Sequence, residues 1–503
     1  MSTDTDERDD AVGPRGRLGR AWASSCALRG CSYCLLIFGL PLLGVWWLVD
    51  WSSQRSLARE MQRDRDLGLY VSLDEIPDQH APDAENAYLV YEQALGKDAF
   101  TEYHSGASRL DPTGQWRQLL WAFLHPPDPA EQPPGQQPTS GAQPAADLAQ
   151  VRLIMSDPRV VRALAALERG SLMPECVLPG RSRDRVQQCP ARGAFSAADD
   201  WLYAQAKLCA LDGKPDEALR WLTVIVRMSN QLGRDPSGAM WFTASRVRSG
   251  ALRQTEEVLS AGAPSAAALR QMQDALAAAD PEGDFAQFMR AQSADVADEF
   301  DQLLVSPEDY FTSMGMSLSD LPSPALPFLR VRRYRAFRSM HSSEEALWLR
   351  WVREAYEASL TVPAAPIEED EPARQGPLAD VTPALPLTLQ SCLGFHGSVY
   401  ARMPCRRDDE MARLNVARAA IALALYRAEH GEYPESLSDL EAATGEALPT
   451  DPFTRGPLHY ERGERGFIVY SVGENGYDDG GTRRDSERGI SAAQADIVWE
   501  CAR

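Results

Sequence analysis

The chain has 503 residues, 44% of them hydrophobic, and a formal net charge of −21 at pH 7. A chain of this length and composition has enough apolar material for two folded units. Residues 1–30 contain five acids and five arginines, so the whole excess of negative charge lies after them. Nucleic acid and anionic lipid are therefore unfavourable partners for the bulk of the chain.

The first element in chain order is an apolar segment, Cys31 to Val49, which has no charged residue over 19 positions. Its length suits one membrane span of about 20 residues. No small-x-small cleavage site follows it, which favours an uncleaved anchor over a signal peptide. Aromatic residues typical of a membrane interface lie near its end: Trp46, Trp47 and Trp51. We predict a cytoplasmic tail over residues 1–30 and a transmembrane anchor over residues 31–50.

The cysteines bear on the orientation of this anchor, because arginines flank it on both sides and the positive-inside rule decides little. Six of the nine cysteines follow the anchor: Cys176, Cys189, Cys209, Cys392, Cys405 and Cys501. An even number is compatible with disulfides in an oxidising compartment. Cys176 with Cys189 and Cys392 with Cys405 are the natural local pairs, and six unpaired thiols are the alternative. We predict a cytoplasmic N-terminus and an extracytoplasmic body.

Residues 51–361 are predicted to form an irregular helical domain. Asp157 followed by Pro158 is a recognised helix start. A helical hairpin with its turn at 212–215 resembles one tetratricopeptide-type unit, but no second copy appears about 34 residues on. We therefore interpret it as a plain hairpin within a bundle. Its helices and the others expected here cover 201–211, 216–228, 83–95, 239–259, 265–279, 284–304 and 342–360.

Two stretches interrupt the helical pattern. Residues 126–144 are rich in Pro, Gln and Gly, and residues 362–386 are rich in Pro, Ala and acids. Both are typical of flexible loops or linkers. Arg330 to Arg338 is a basic cluster with interleaved aromatics, compatible with phosphate or nucleic-acid contact. In so acidic a chain, a salt-bridged helix face is the favoured interpretation.

Residues 387–503 are predicted to form a small α+β domain. Apolar spacing predicts a helix over 411–430, ended by Gly431 and Pro434. A short helical turn is expected over 435–440. Strands are expected over 457–460 and 467–470, joined by a hairpin loop.

An acidic, glycine-rich loop follows the second of these strands, from Gly473 to Gly481. Carboxylate, amide and carbonyl oxygens on a loop that turns sharply are the ligands that calcium requires. The alternative is a solvated turn, because Asn-Gly and Asp-Gly are common turn sequences.

The order of these motifs resembles the globular part of the major pseudopilin of type II secretion systems. The resemblance covers residues 407 to 503 and includes Leu-Pro-Thr-Asp-Pro-Phe at 448–453 and Ala-Asp-Ile-x-Trp at 495–499. It implies a bacterial inner-membrane location and a calcium site. The ligands it implies are the side chains of Asn475, Asp478, Asp479 and Asp496 and the carbonyl of Val472. Asn475 stands where that family usually has an aspartate, and residues 482–494 are longer than their counterpart.

Enzyme motifs are missing from the sequence: there is no His-Glu-x-x-His, Gly-x-Ser-x-Gly, phosphate-binding loop or dinucleotide fingerprint. The sequence therefore favours a non-enzymatic, single-span protein whose helical domain binds a protein partner, with a calcium-stabilised pseudopilin-like module. The alternative is a component of a type II secretion-like pseudopilus. Against it, the usual processing site and the glutamate of the pseudopilin anchor are lacking. A hydrolase whose carboxylates meet only in the fold is a third, more distant hypothesis.

Overall fold

The computed structural model describes residues 40–96, 111, 115–125, 147–178, 191–306, 338–360, 403–483 and 495–501. Within these ranges the chain is mainly helical with one small antiparallel sheet, which confirms the predicted mainly α class. The loop 126–144 and the linker 362–386 lie outside the described residues. So do Cys189 and Cys392, and both predicted local disulfides therefore stay predictions.

The first described element is helix α1, Leu40–Asp66. Its N-terminal part, up to Trp51, overlaps the predicted anchor and carries exposed apolar side chains. Its C-terminal part buries Ser53, Glu60 and Asp64 against the rest of the protein. Across the described ranges, we find no helix that is both long enough and apolar enough to cross a membrane.

A body of helices follows α1. In chain order they are α2 (Ala87–Leu95), α3 (Gln115–Leu124), α4 (Leu148–Met155), α5 (Pro158–Ser171), α6 (Ala191–Leu211), α7 (Pro215–Gly233), α8 (Gly238–Ala261), α9 (Ala266–Ala277), α10 (Pro281–Val305) and α11 (Arg338–Ser359). The sequence predicted these except α3 and α4, two short helices on either side of the Pro-rich loop. Helix α6 begins ten residues before the predicted start at 201. The start of α2 differs from the prediction because the Asn86 side chain caps the helix by accepting the N–H of Tyr88.

The predicted hairpin is formed by α6 and α7. Gly213 adopts a left-handed φ of 69° in its turn, and Pro215 opens α7. Helix α7 packs against α6, α8 and α9, and its second half is buried almost continuously. It is therefore the central helix of the body, which explains why its apolar residues run around more than one face.

The C-terminal module comprises residues 403–501: α12 (Met403–His430), α13 (Leu437–Thr444), β1 (His459–Arg462), β2 (Phe467–Ser471) and β3 (Ile497–Cys501). The strands form an antiparallel sheet in the order β1-β2-β3. Helix α12 was predicted, but it begins eight residues before the predicted start at 411. The first two strands were predicted with shifts of one or two residues at their ends. The strand β3 was not, although its residues belong to the motif that carries the resemblance.

Helix α12 has two sets of packing partners. One part contacts β2 and β3, and another contacts α8, α9, α10 and α11. The outer edge of the sheet is also tied to the body, because the N–H of Glu500 in β3 donates to Glu256 of α8 at 2.8 Å. The module and the body thus share one continuous apolar core around α12.

Candidate functional site in the acidic loop

The predicted calcium ligands lie on the loop that leaves β2 and on the residue preceding β3. Four glycines of this loop, Gly473, Gly476, Gly480 and Gly481, have φ between 68° and 74°. At Gly473 a side chain is also excluded by space, because a Cβ there would lie 2.6 Å from the carbonyl oxygen of Ala495. The glycines are therefore needed for the path of the loop, whatever it binds.

Asp496 is buried and holds the far end of the loop in place. Its carboxylate accepts the N–H groups of Gly481 at 2.7 Å, Thr482 at 3.0 Å and Asp479 at 3.4 Å. Burial raises the pKa of Asp496, and these N–H donors oppose that rise. The carboxylate thus acts as an acceptor for the backbone of the loop.

Asp478 faces the sheet instead. Its Oδ1 accepts the hydroxyl of Tyr470 and the N–H of Gly480, both at 2.9 Å, and its Oδ2 lies 3.3 Å from Nδ1 of His459. The rings of His459 and Tyr470 stack with centroids 4.9 Å apart. The pKa of Asp478 is held below its usual value, chiefly by the N–H of Gly480.

Asn475 and Asp479 contact each other on the exposed side of the loop. The amide of Asn475 donates to Asp479 Oδ2 at 2.7 Å, and its oxygen accepts the N–H of Tyr477 at 3.0 Å. Val472, the predicted carbonyl donor, is buried where β2 ends. The five predicted residues therefore lie near one loop, but their side chains have three different sets of partners.

The donor types suit calcium, since they include three carboxylates and an amide oxygen. In the structure, however, these oxygen atoms do not point toward one common position. In the part of the chain that the structure describes, no group of three or more His, Cys, Asp or Glu side chains is placed to hold a metal ion. Chemically, the present arrangement orders the loop through protein hydrogen bonds, and the calcium site stays a prediction.

Asp451, which is fully buried beside this loop, had no role in the sequence analysis. Its Oδ1 accepts the N–H of Phe453 and the hydroxyl of Ser471, both at 2.9 Å, and its Oδ2 accepts the N–H of Val472 at 3.0 Å. Asp451 therefore stabilises the end of β2, where the acidic loop begins. An aspartate that caps its own following turn was a recognisable local signal, but its contact with β2 was not.

Two buried ionic centres that lie between packed helices were also missed in the sequence analysis. In the first, Arg248 of α8 pairs with Glu410 of α12 and lies 3.7 Å from Asp284 of α10. Burial raises the pKa of Asp284 to about 7. A Cβ at Gly233 would lie 2.2 Å from Asp284 Oδ2, so a larger residue there would have to displace this carboxylate.

The second centre joins α1 to α11. Arg353 of α11 donates to Glu60 at 2.5 Å and to Asp64 at 2.8 Å. Burial raises the pKa of Asp64 to about 6 in spite of the arginine. Both centres link helices that are far apart in the chain, which indicates a structural role in holding the body together.

Comparison with known protein families, with curated proteins and with solved structures finds no match to this chain.

Proposed function

We propose that this is a non-enzymatic, membrane-anchored extracytoplasmic protein, in which the helical body binds a protein partner and calcium stabilises the C-terminal module. The observation that carries the proposal is the character of α1. Its first part is apolar and exposed on all sides, and its second part buries one face against the body. The sequence-based resemblance of the C-terminal module supports the bacterial location and the calcium.

The exposed part of α1 is what supports the anchor. Leu42 is 67% exposed and Trp47 is 59% exposed, and apolar neighbours between them are exposed as well. Soluble domains rarely leave a contiguous apolar surface of this kind without a partner or a membrane to cover it. Only two residues after Trp51, Ser53 is buried and its hydroxyl accepts that of Ser343 at 2.9 Å. The helix therefore enters the body with no linker between them.

Exposed apolar side chains on the body support a protein partner. Leu153 is 73% exposed on α4 and Leu211 is 58% exposed at the end of α6. Arg152 and Asp212, their sequence neighbours, form an ion pair at 2.5 Å, so these two positions lie near each other. Protein interfaces typically have an apolar centre surrounded by a polar rim, and these apolar side chains with the neighbouring ion pair fit that composition.

Alkaline extraction of membranes from bacteria that express the full chain tests the anchor. The wild-type chain should remain in the membrane pellet, whereas Leu43→Arg with Val45→Arg should release much of it, because a charge in the bilayer core is costly. Leu153→Arg with Val161→Arg is the matched control, since these residues are exposed on the body. Release of the wild-type chain by alkali would refute the anchor.

Thermal unfolding of the full chain, with chelator and with added calcium, tests the ion. A specific site raises the unfolding midpoint as calcium exceeds its dissociation constant. Asp479→Ala is the sharpest variant, because Asp479 is exposed and its carboxylate accepts one side-chain hydrogen bond, from Asn475, so its loss should cost little without calcium. Asp274→Ala, an exposed acid on α9, is the control. Equal shifts in all three proteins would indicate diffuse binding and contradict the site.

The alternative, a component of a pseudopilus-like assembly, is supported by the packing of α12 on an antiparallel sheet ahead of the glycine-rich loop. Intact-mass measurement of the mature chain is the discriminating test. A processed N-terminus together with copurifying filaments would favour assembly, and an unprocessed monomer would favour the anchored protein.

A further inference from the structure

We propose that α1 also carries a binding surface for anionic phospholipid head groups, formed by Arg55 and Arg59 next to Trp51. This inference rests on the proposed membrane anchor and adds the kind of lipid that the protein selects. The charge of the whole chain predicts avoidance of anionic lipid, so this surface would be a local exception to that rule.

The surface is a single stripe along the helix. Trp47, Trp51, Arg55 and Arg59 follow one another at four-residue spacing, which places neighbours side by side on a helix. The rings of Trp47 and Trp51 stack with centroids 6.5 Å apart. The guanidinium of Arg55 lies 5.1 Å from the ring centroid of Trp51, and Nε of Arg59 donates to the carbonyl of Arg55 at 3.2 Å. The stripe thus passes from aromatic to basic without a break.

The residues on the opposite side of α1 determine that this stripe faces away from the body. Ser53, Glu60 and Asp64 face the body and are buried. Glu60 and Asp64 are both held by Arg353 of α11, at 2.5 Å and 2.8 Å. Rotation of α1 would break this centre and expose its neighbours, so Arg55 and Arg59 are kept on the side turned away from the body.

The distance of each arginine from Trp51 along the helix axis determines which of them can contact the lipid head groups. At a rise of about 1.5 Å per residue, Arg55 lies about 6 Å beyond Trp51, Arg59 about 12 Å and Arg63 about 18 Å. The head-group layer on each side of a bilayer is about 5–8 Å thick. Arg55 therefore falls within that layer and Arg59 within reach of it, since arginine side chains extend toward the interface. Arg63 lies beyond the layer and pairs with Glu60 at 2.9 Å.

The charge environment leaves both arginines available to phosphate. Neither Arg55 nor Arg59 forms an ion pair with any residue that the structure describes, although the chain carries a net charge of −21. Two acids are near in sequence. Glu60, next to Arg59, is buried and pairs with Arg353 and Arg63, and Asp50 accepts a hydrogen bond from Gln54 on a different face of α1. A guanidinium group binds phosphate through two parallel hydrogen bonds. Contact with the ring of Trp51 helps to orient the planar guanidinium group of Arg55.

The test measures which lipids surround the full chain. The protein is reconstituted into vesicles of phosphatidylcholine with a minor share of phosphatidylglycerol, excised in polymer discs, and the lipids of the discs are quantified. The wild-type chain should enrich phosphatidylglycerol about fivefold over the bulk membrane, as expected for basic residues at a membrane surface. Arg55→Gln with Arg59→Gln should reduce the ratio to that of the bulk, while Arg63→Gln, the control for depth, should leave the enrichment in place.

The outcomes separate this inference from the proposed function. Failure of the wild-type chain to enter phosphatidylcholine vesicles would overturn the anchor, and the lipid surface with it. Entry without enrichment, or equal enrichment by the double variant, would overturn the lipid surface alone. Both arginines are exposed, so the double variant should unfold at the wild-type temperature, and a lowered midpoint would assign them a structural role instead.

Discussion

The packed helices and the strand-and-loop part of the C-terminal module both bury carboxylates, but these carboxylates have different partners. Among the helices, Arg248 and Arg353 each form ion pairs with two acids, one of which, Glu410, lies on α12 of the module. In the module, Asp451 and Asp496 each accept two or three backbone N–H groups. Helices explain the difference, because every interior N–H of a helix is already bonded to a carbonyl. A carboxylate buried among helices must find a side chain, whereas a loop has free N–H groups to offer.

The loss of an arginine from the body should have the largest effect. Arg353→Met leaves Glu60 and Asp64 without their buried cation, which we expect to reduce the free energy of unfolding by about 3 kcal/mol. Arg350 supplies the matched control, since it contacts the same Glu60 at 3.3 Å but is 43% exposed. Arg350→Met should cost at most about 1 kcal/mol. Denaturant unfolding of the full chain measures the loss of unfolding free energy in both variants. Equal losses would contradict the assignment of Arg353 as a buried ion-pair partner.

A buried acceptor of the module should have an intermediate effect. Asp451→Asn keeps one oxygen but turns an NH2 group toward donors, so we expect a loss of about 2 kcal/mol. The same change at the exposed Asp274 should be neutral within experimental error. Hydrogen exchange at Phe453 and Val472 is the local readout. Unchanged protection of both amides would contradict the role assigned to the Asp451 carboxylate.

The smallest effect concerns pH and the first ionic centre. Burial raises the pKa of Asp284 to about 7, against an unfolded value of about 3.9. The folded state therefore binds the proton more tightly, and this group stabilises the protein at acidic pH. Its contribution is full below about pH 4 and is lost as the pH rises through about 7.

Asp284→Asn should remove this dependence. We expect the difference in unfolding free energy between the variant and the wild type to change by about 1 kcal/mol between pH 6 and pH 7.5. Only the difference is informative, because other carboxylates titrate in the same range. A difference that stays constant across these pH values would mean that Asp284 is ionised throughout.

Much of the helical framework was predictable from local patterns. The hairpin at Gly213, the end of α12 at Gly431 and the cap at Asp157 are each specified by neighbouring residues. Strand β3 was missed because its five residues form a strand by pairing with β2, from which a long segment separates it. Helices α3 and α4 were missed because they are short and border a Pro-rich stretch.

The acidic loop was predictable as a loop, and its glycines were recognised as turn formers. The hydrogen-bond partners of its carboxylates could not be predicted from the sequence. Asp478 meets Tyr470 and His459 only because β1 and β2 pair in one register. Asp496 meets the loop only because β3 returns beside it.

The sequence by itself determined the helical class, most element boundaries and the apolar start of α1, because these depend on spacing, capping and turn residues within a few positions. Only the tertiary structure decided which charges are buried and with which partners. Arg248 and Glu410 are 162 positions apart, and Arg353 and Glu60 are 293 apart. Contacts at such separations leave no periodic trace in the chain, since they arise only when helices from distant segments pack into one core.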